Sequence, residues 1–166
     1  FEKRVIGTVE QGWAGSLTCK RGVLNVGEAI AVPVIRELLK GLPEGINLID
    51  CPPGTSCNVV TALQHADAAL LVTEPSSFGL HDLKMAVQLV KHFDLPLSVV
   101  INKYNAEDKR IQNYCQKENI QILGLIPYSR EAAELYSTGK MIVELPEYKE
   151  IFEKIAMELR EVSPWN

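Results

Sequence analysis

The segment Leu48-Ile-Asp-Cys-Pro-Pro-Gly-Thr-Ser56 begins within a short apolar run and contains the most informative residues of the chain. That run, Ile46–Asp50, is predicted to be a strand that ends at an acid. A carboxylate in such a position can hold Mg²⁺ directly or through water, and Gly54 lets a backbone N–H approach a phosphate oxygen. The segment therefore predicts a metal–phosphate site, with an Asp50 that merely caps the turn as the alternative.

Downstream of this segment, short apolar runs alternate with helical patterns. Strands are predicted at residues 68–72, 97–101 and 122–126, and helices at residues 59–64, 80–93, 109–118, in a segment capped by Ser129, and at about 148–161. This alternation predicts an α/β fold with three layers, in which a mostly parallel sheet carries helices on both faces. Ligands of such sheets bind beyond the carboxyl ends of the strands, so the loops there are the candidate site.

The first 45 residues have a different pattern, punctuated by glycine. Val5–Val9 and Leu17–Lys20 predict two strands, and Pro33 predicts the first turn of a helix that ends near Lys40. The sequence contains no internal repeat, low-complexity tract or clear linker. We therefore expect one domain over residues 1–166.

Composition excludes several classes of function. The 166 residues are 46% hydrophobic and 23% charged, which is typical of a globular protein. The net charge of −4 argues against nucleic acid or an anionic membrane as the main partner, and no apolar run is long enough for a membrane anchor. The four cysteines are too scattered for a disulfide framework, and we expect Cys51 and Cys57 to be buried, reduced thiols of a cytoplasmic protein.

Four motifs in sequence order resemble one family, and together they cover about residues 46–159. Asp50-Cys-Pro-Pro-Gly-Thr resembles the Walker B and switch II segment of the MinD/ParA/Mrp-type P-loop ATPases, the group that includes the nitrogenase iron protein. Leu71-Val-Thr-Glu-Pro75 resembles the next strand and loop of that family. Val99-Val-Ile-Asn-Lys103 and Leu125-Ile-Pro127 resemble the two strands that flank the nucleotide base.

Other stretches resemble the MinD-like ATPases that carry an inserted ferredoxin domain. They are Gly22–Glu28, Pro33–Ile35, Pro53–Cys57 and Glu74–Asp82. The resemblance implies a link to iron–sulfur or electron-transfer chemistry, with a ferredoxin-like domain or a redox protein as a possible partner. It also implies a homodimer.

The same resemblance implies roles for five residues. Asp50 would position Mg²⁺ through water, and Gly54 would sense the γ-phosphate of ATP. Asn102 would hydrogen-bond the adenine edge, beside Lys103, and Pro127 would pack against the ring. The alternatives are an Asn102 that caps its strand end, a solvated or packing Lys103, and a Pro127 that only closes a turn.

The sequence departs from the family in one respect that bears on catalysis. The phosphate-binding signature G-x-x-x-x-G-K-[ST] does not occur, because Gly139-Lys140 is followed by Met141. A Cys-x-x-Cys-x-x-Cys run for the iron–sulfur cluster of an inserted domain does not occur either. We therefore expect a P-loop NTPase-like fold that is incomplete at its N-terminal side and is not catalytically competent alone.

Two other functions remain open on the sequence. One is a non-catalytic interaction module that kept the fold and lost the phosphate loop. The other is an ATP-dependent ligase or amidotransferase of the cobyrinate synthase group, although no additional substrate-binding residues can be identified. A phosphate loop encoded immediately upstream would support the ATPase, whereas a native start codon near Phe1 would support the interaction module.

Overall fold

The computed structural model describes residues 4–162, which form two compact units. The first unit ends at Ala66 and the second begins at Asp67. No helix within residues 4–162 is both long and apolar enough to cross a membrane. The single domain predicted for residues 1–166 stays a prediction.

The first unit contains a β-hairpin and two short helices. Strands β1 (Gly7–Ala14) and β2 (Leu17–Leu24) pair antiparallel, and they are longer than the two strands predicted here. Helix α1 (Val32–Leu38) has its proline in the first turn, as predicted, and α2 spans Cys57–Leu63. Glycine lets α1 approach the hairpin, because a Cβ at position 22 would lie 2.8 Å from Val34 Cγ1.

The strand predicted at Ile46–Asp50 is wrong. The segment is irregular, and the side chains of Ile46 and Leu48 are 61% and 84% exposed. A strand needs a neighbouring strand to satisfy its backbone N–H and C=O groups. Neither of the two sheets within residues 4–162 includes the segment before Asp50, so this segment has no ladder partner.

The second unit is a three-stranded parallel sheet with helices. The strands are β3 (Ala69–Thr73), β4 (Leu97–Tyr104) and β5 (Gln121–Pro127), in that spatial order. The helices are α3 (Ser77–His92), α4 (Arg110–Lys117), α5 (Arg130–Ser137) and α6 (Pro146–Val162), with a 3₁₀ turn at Ile142–Glu144. Every strand and helix predicted downstream of residue 66 is present, and Ser129 caps α5 by accepting a hydrogen bond from the N–H of Ala132.

Alternate residues of β4 face two separate hydrophobic clusters. Val99 and Ile101 pack in a cluster with α3 and α4, whereas Val100 packs in a cluster with β5, α5 and α6. Because successive side chains of a strand point to opposite faces, helices cover both faces of the sheet at β4. This arrangement confirms the predicted α/β fold.

Helices were predicted on both faces of the sheet, but at β3 only one face is covered by a helix. Leu71 packs against the cluster under α3, but Leu70 is 36% exposed and Val72 is 64% exposed. The helix on that face, α6, packs on β5, at the opposite edge of the sheet. The apolar residues of β3 on this face therefore remain at the surface.

Candidate functional site

An irregularity in β4 lies where the sequence predicted the base site. Ile101 pairs with Leu125 and Tyr104 pairs with Pro127, so β4 uses three residues where β5 uses two. The extra residue is a β-bulge, and within it Lys103 has a positive φ of 49°. Left-handed backbone is uncommon for a residue with a Cβ, and such outliers cluster at functional sites.

The bulge fixes the orientation of the Asn102 side chain. Its Oδ1 accepts a hydrogen bond from the backbone N–H of Lys103 at 2.9 Å. Only the carbonyl end of an amide can accept from an N–H, so the NH₂ group is the end left for a ligand. Asn102 therefore combines a half-buried position at the carboxyl edge of the sheet with an available donor.

Lys103 is joined to the neighbouring strand by an ion pair. Its Nζ lies 2.8 Å from Oε1 of Glu74, the residue that follows β3, and both side chains are about half exposed. The ammonium group is therefore already engaged by a carboxylate of the same unit. This contact agrees better with the packing role that was the alternative for Lys103.

Pro127 is the last residue of β5, and its backbone is held by a hydrogen bond from α6. Its carbonyl oxygen accepts a hydrogen bond from the Tyr148 hydroxyl at 2.9 Å. Tyr148 is only 2% exposed and belongs to the first part of α6. No local sequence pattern predicts this contact, because the two residues are 21 positions apart.

The loop after β3 is built by local hydrogen bonds. Ser76 caps α3 by accepting from the N–H of Gly79 at 2.9 Å, and the Thr73 hydroxyl donates to the Gly79 carbonyl at 3.0 Å. Sequence reasoning missed this cap, although a serine before an apolar helical pattern is its usual signal.

Arg110, at the start of α4, contacts the first residue of α3. Its Nη1 donates to the Ser77 hydroxyl at 2.7 Å, while its Nε donates to Oδ1 of Asp108 at 2.9 Å. The backbone N–H of Arg110 is the main cause that lowers the pKa of Asp108. The first turns of α3 and α4 are thus joined by a side-chain hydrogen bond.

Asp50 and Gly54 lie in the first unit, on an exposed segment. Gly54 has a φ of 91°, a conformation that favours glycine. The carboxylate of Asp50 makes no ion pair or hydrogen bond within residues 4–162, and across these residues no three His, Cys, Asp or Glu side chains form a metal-binding group. The structure brings Asn102, Lys103 and Pro127 together in the second unit, and the roles of all five residues stay predictions.

The burial predicted for Cys51 and Cys57 is wrong, since both are exposed. Cys51 lies in the irregular segment after Asp50, and Cys57 is the first residue of α2, whose buried residues are Thr61, Ala62 and Leu63. Partial desolvation, followed by the charge of Asp50, still raises the pKa of the Cys51 thiol.

Comparison with known proteins identifies relatives of this chain. Residues 44–160 match the family model described as ParA, NUBPL iron-transfer P-loop NTPase. An uncharacterised protein of Methanocaldococcus jannaschii is 33% identical over 159 residues, which cover 94% of this chain and 56% of the relative. The iron–sulfur cluster carrier protein of Pyrococcus abyssi is 30% identical over 158 residues, covering 81% of this chain and 54% of the carrier.

A solved structure shows the same fold. The cell division ATPase MinD of Pyrococcus furiosus superposes with a TM-score of 0.63 at 27% identity, covering 78% of this chain and 58% of MinD. The chain thus spans about half the length of the curated relatives that it matches. On the family match and the shared fold, the chain belongs to the NUBPL-type ParA family of P-loop NTPases.

Proposed function

We propose that this chain supplies the Walker B, switch II and base-binding residues of a cytoplasmic ATPase that works with iron–sulfur clusters. ATP is bound and hydrolysed by the whole protein as a homodimer. The phosphate-binding loop comes from residues outside this sequence, because the 166 residues contain no G-x-x-x-x-G-K-[ST] run. The chain alone does not hydrolyse ATP.

The observation that carries the proposal is the bulge at Asn102 and Lys103. It lies at the carboxyl edge of a parallel sheet, where α/β proteins bind ligands. The bulge leaves the Asn102 NH₂ group as a donor, and adenine offers ring nitrogens that accept hydrogen bonds. Pro127, on the adjacent strand, supplies an exposed apolar surface of the kind that packs against a ring.

The residues at Asp50 fit the magnesium ion that such an ATPase uses. Mg²⁺ prefers carboxylate and water oxygens, and the Asp50 carboxylate is exposed and has no protein partner within residues 4–162. The ion would neutralise charge on the β- and γ-phosphates of ATP. Asp50 would hold it through water, and the backbone N–H of Gly54 would approach the γ-phosphate.

The link to iron–sulfur clusters rests on relatives. The Pyrococcus abyssi protein is named an iron–sulfur cluster carrier, and the family model is described as an iron-transfer NTPase. We extend the transfer of iron–sulfur clusters to this protein. The whole protein is also expected to carry an inserted ferredoxin domain or to use a ferredoxin-like partner. Neither the cluster nor the inserted domain is expected on the residues of this chain.

The test compares the full-length protein with this chain by calorimetry with ATP and Mg²⁺. We expect binding by the full-length protein and no detectable binding by the 166-residue chain, because the phosphate contacts dominate the affinity. Asn102→Ala should weaken ATP binding to the full-length protein, whereas Asn113→Ala, on the exposed surface of α4, should not. Tight binding by the 166-residue chain alone would contradict the proposal.

A further inference from the structure

Glu74 is the first residue after β3, and its carboxylate is the only acidic partner of Lys103 within residues 4–162. We propose that Glu74 is a positioning residue of the base site: it fixes Lys103 in the bulge and thereby orients the Asn102 amide. This inference rests on the proposed function, since it assigns a task to a residue next to the base-binding position. Glu74 itself does not contact the nucleotide.

The first step is that Lys103 needs support. A positive φ is unfavourable for a residue with a Cβ, and it persists only where surrounding contacts hold it. Two contacts do so here. The Lys103 N–H donates to Asn102 Oδ1 at 2.9 Å, and the Lys103 Nζ lies 2.8 Å from Glu74 Oε1.

The second step is that Glu74 is held firmly enough to give this support. Its carbonyl oxygen accepts a hydrogen bond from the N–H of Ser76 at 2.8 Å. A Cβ at position 79 would clash with the same carbonyl oxygen, so the absence of a side chain on Gly79 lets α3 pack closely against the loop. Thr73, 8% exposed, donates from its hydroxyl to the Gly79 carbonyl.

The third step connects the ion pair to the donor. The hydrogen bond that orients Asn102 comes from the backbone of Lys103, so a change in the Lys103 conformation moves that N–H away from Oδ1. The amide of Asn102 could then rotate and present its oxygen, which cannot donate to a ring nitrogen. The carboxylate of Glu74 thus influences the base contact across two strands without touching the base.

The test measures binding of two probes to the full-length protein with Mg²⁺: ATP, and inorganic tripolyphosphate, which has no base. We expect Glu74→Gln to weaken ATP binding about two- to fivefold, the range of an exposed ion pair, and to leave tripolyphosphate binding unchanged. The exchanged pair Glu74→Lys with Lys103→Glu should recover most of the ATP affinity. Glu134→Gln, which breaks a comparable exposed ion pair with Arg130, is the matched control.

A second measurement separates the effect of the Lys103 backbone conformation from the effect of its side chain. Glycine adopts a positive φ without strain, so Lys103→Gly should bind ATP more tightly than Lys103→Ala. In the Lys103→Gly background, Glu74→Gln should have no further effect. An equal loss of ATP and tripolyphosphate affinity in Glu74→Gln, or no loss of either, would overturn the inference while leaving the proposed function intact. Absence of ATP binding by the wild-type full-length protein would overturn the proposed function and this inference with it.

Discussion

At the scale of single residues, the four cysteines separate into two environments. Cys115 is fully buried between α4 and the sheet, and desolvation raises the pKa of its thiol to about 11. Cys19, Cys51 and Cys57 are exposed. The thiolate is the reactive form of cysteine, so both burial and a raised pKa protect Cys115 from alkylation.

We predict that a maleimide at pH 8 labels three thiols of the folded chain rapidly and labels Cys115 only on unfolding. Among the exposed thiols, Cys51 should react more slowly than Cys57, because desolvation and the neighbouring Asp50 raise its pKa. Peptide mass mapping of a labelling time course gives the order. Rapid modification of Cys115 at the same rate as Cys19 would show that α4 does not shield it.

The candidate base site shows what residue identity does and does not predict. The resemblance predicted one group of three residues, Asn102, Lys103 and Pro127. The structure places all three at the carboxyl ends of β4 and β5. The positive φ of Lys103 depends on the pairing of β4 with β5, and its contact with Glu74 depends on the pairing of β3 with β4. Neither has a signal in the local sequence. The local sequence motifs predicted which residues lie at this end of the sheet, and the pairing of the strands determines how those residues are held.

At the scale of elements, Gly79 tests whether close approach or helix propensity governs the start of α3. Propensity alone favours alanine over glycine in a helix by about 1 kcal/mol. The structure predicts instead that alanine is less stable than glycine at position 79, because a Cβ would clash with the Glu74 carbonyl and lie 3.1 Å from Thr73 Oγ1. We expect Gly79→Ala to destabilise the second unit by about 1–3 kcal/mol in chemical unfolding, as overpacking does. Gln88→Ala, on the exposed side of α3, is the control and should be near neutral.

The contact between α3 and α4 predicts a dependence on pH. Lys91 Nζ lies 2.9 Å from Glu118 Oε2, and this hydrogen bond is the main cause that lowers the pKa of Glu118 and raises the pKa of Lys91. A lowered carboxyl pKa gives stability that is present above the unfolded pKa of about 4.3 and is lost as pH falls through the folded pKa. For Lys91, the stability is lost as pH rises through the folded pKa.

We therefore expect Glu118→Gln to reduce the loss of stability on acidification between pH 5 and 3, expressed relative to wild type. Urea unfolding at half-unit steps of pH measures the slope. Glu161→Gln leaves the Lys91 contact intact and should keep the wild-type slope. Identical slopes in wild type and Glu118→Gln would show that this ion pair does not contribute in solution.

The elements also show where sequence patterns fail. The predicted helices and strands of the second unit are correct because each has its own apolar periodicity and because the chain contains the strands and helices that pack against it. Ile46–Asp50 has an equally apolar pattern and is irregular, since no strand within residues 4–162 pairs with it. Helical hydrogen bonds close within four residues, whereas a strand depends on a neighbour that its own sequence does not specify.

At the scale of the whole molecule, one lateral edge of the parallel sheet is formed by β3. Within residues 4–162, β3 pairs only with β4, so its other side carries unpaired N–H and C=O groups. Leu70 and Val72 add exposed apolar surface to the same strand. An apolar strand with a free edge is a template for pairing with another chain, and natural proteins protect such edges with charges or with additional structure.

We predict that the 166-residue chain self-associates through β3 and that Val72→Lys reduces the association. A lysine on an edge strand opposes strand addition because its charge would have to be buried in the contact. Sedimentation velocity across a concentration series should show a weight-average mass that rises with concentration for wild type and stays nearer the monomer for Val72→Lys. Met157→Lys places the same charge on α6, at a side chain as exposed as Val72, and should associate like wild type. A wild-type chain that remains monomeric at high concentration would contradict the predicted association, and equal suppression by both lysines would assign it to net charge instead of to the edge of β3.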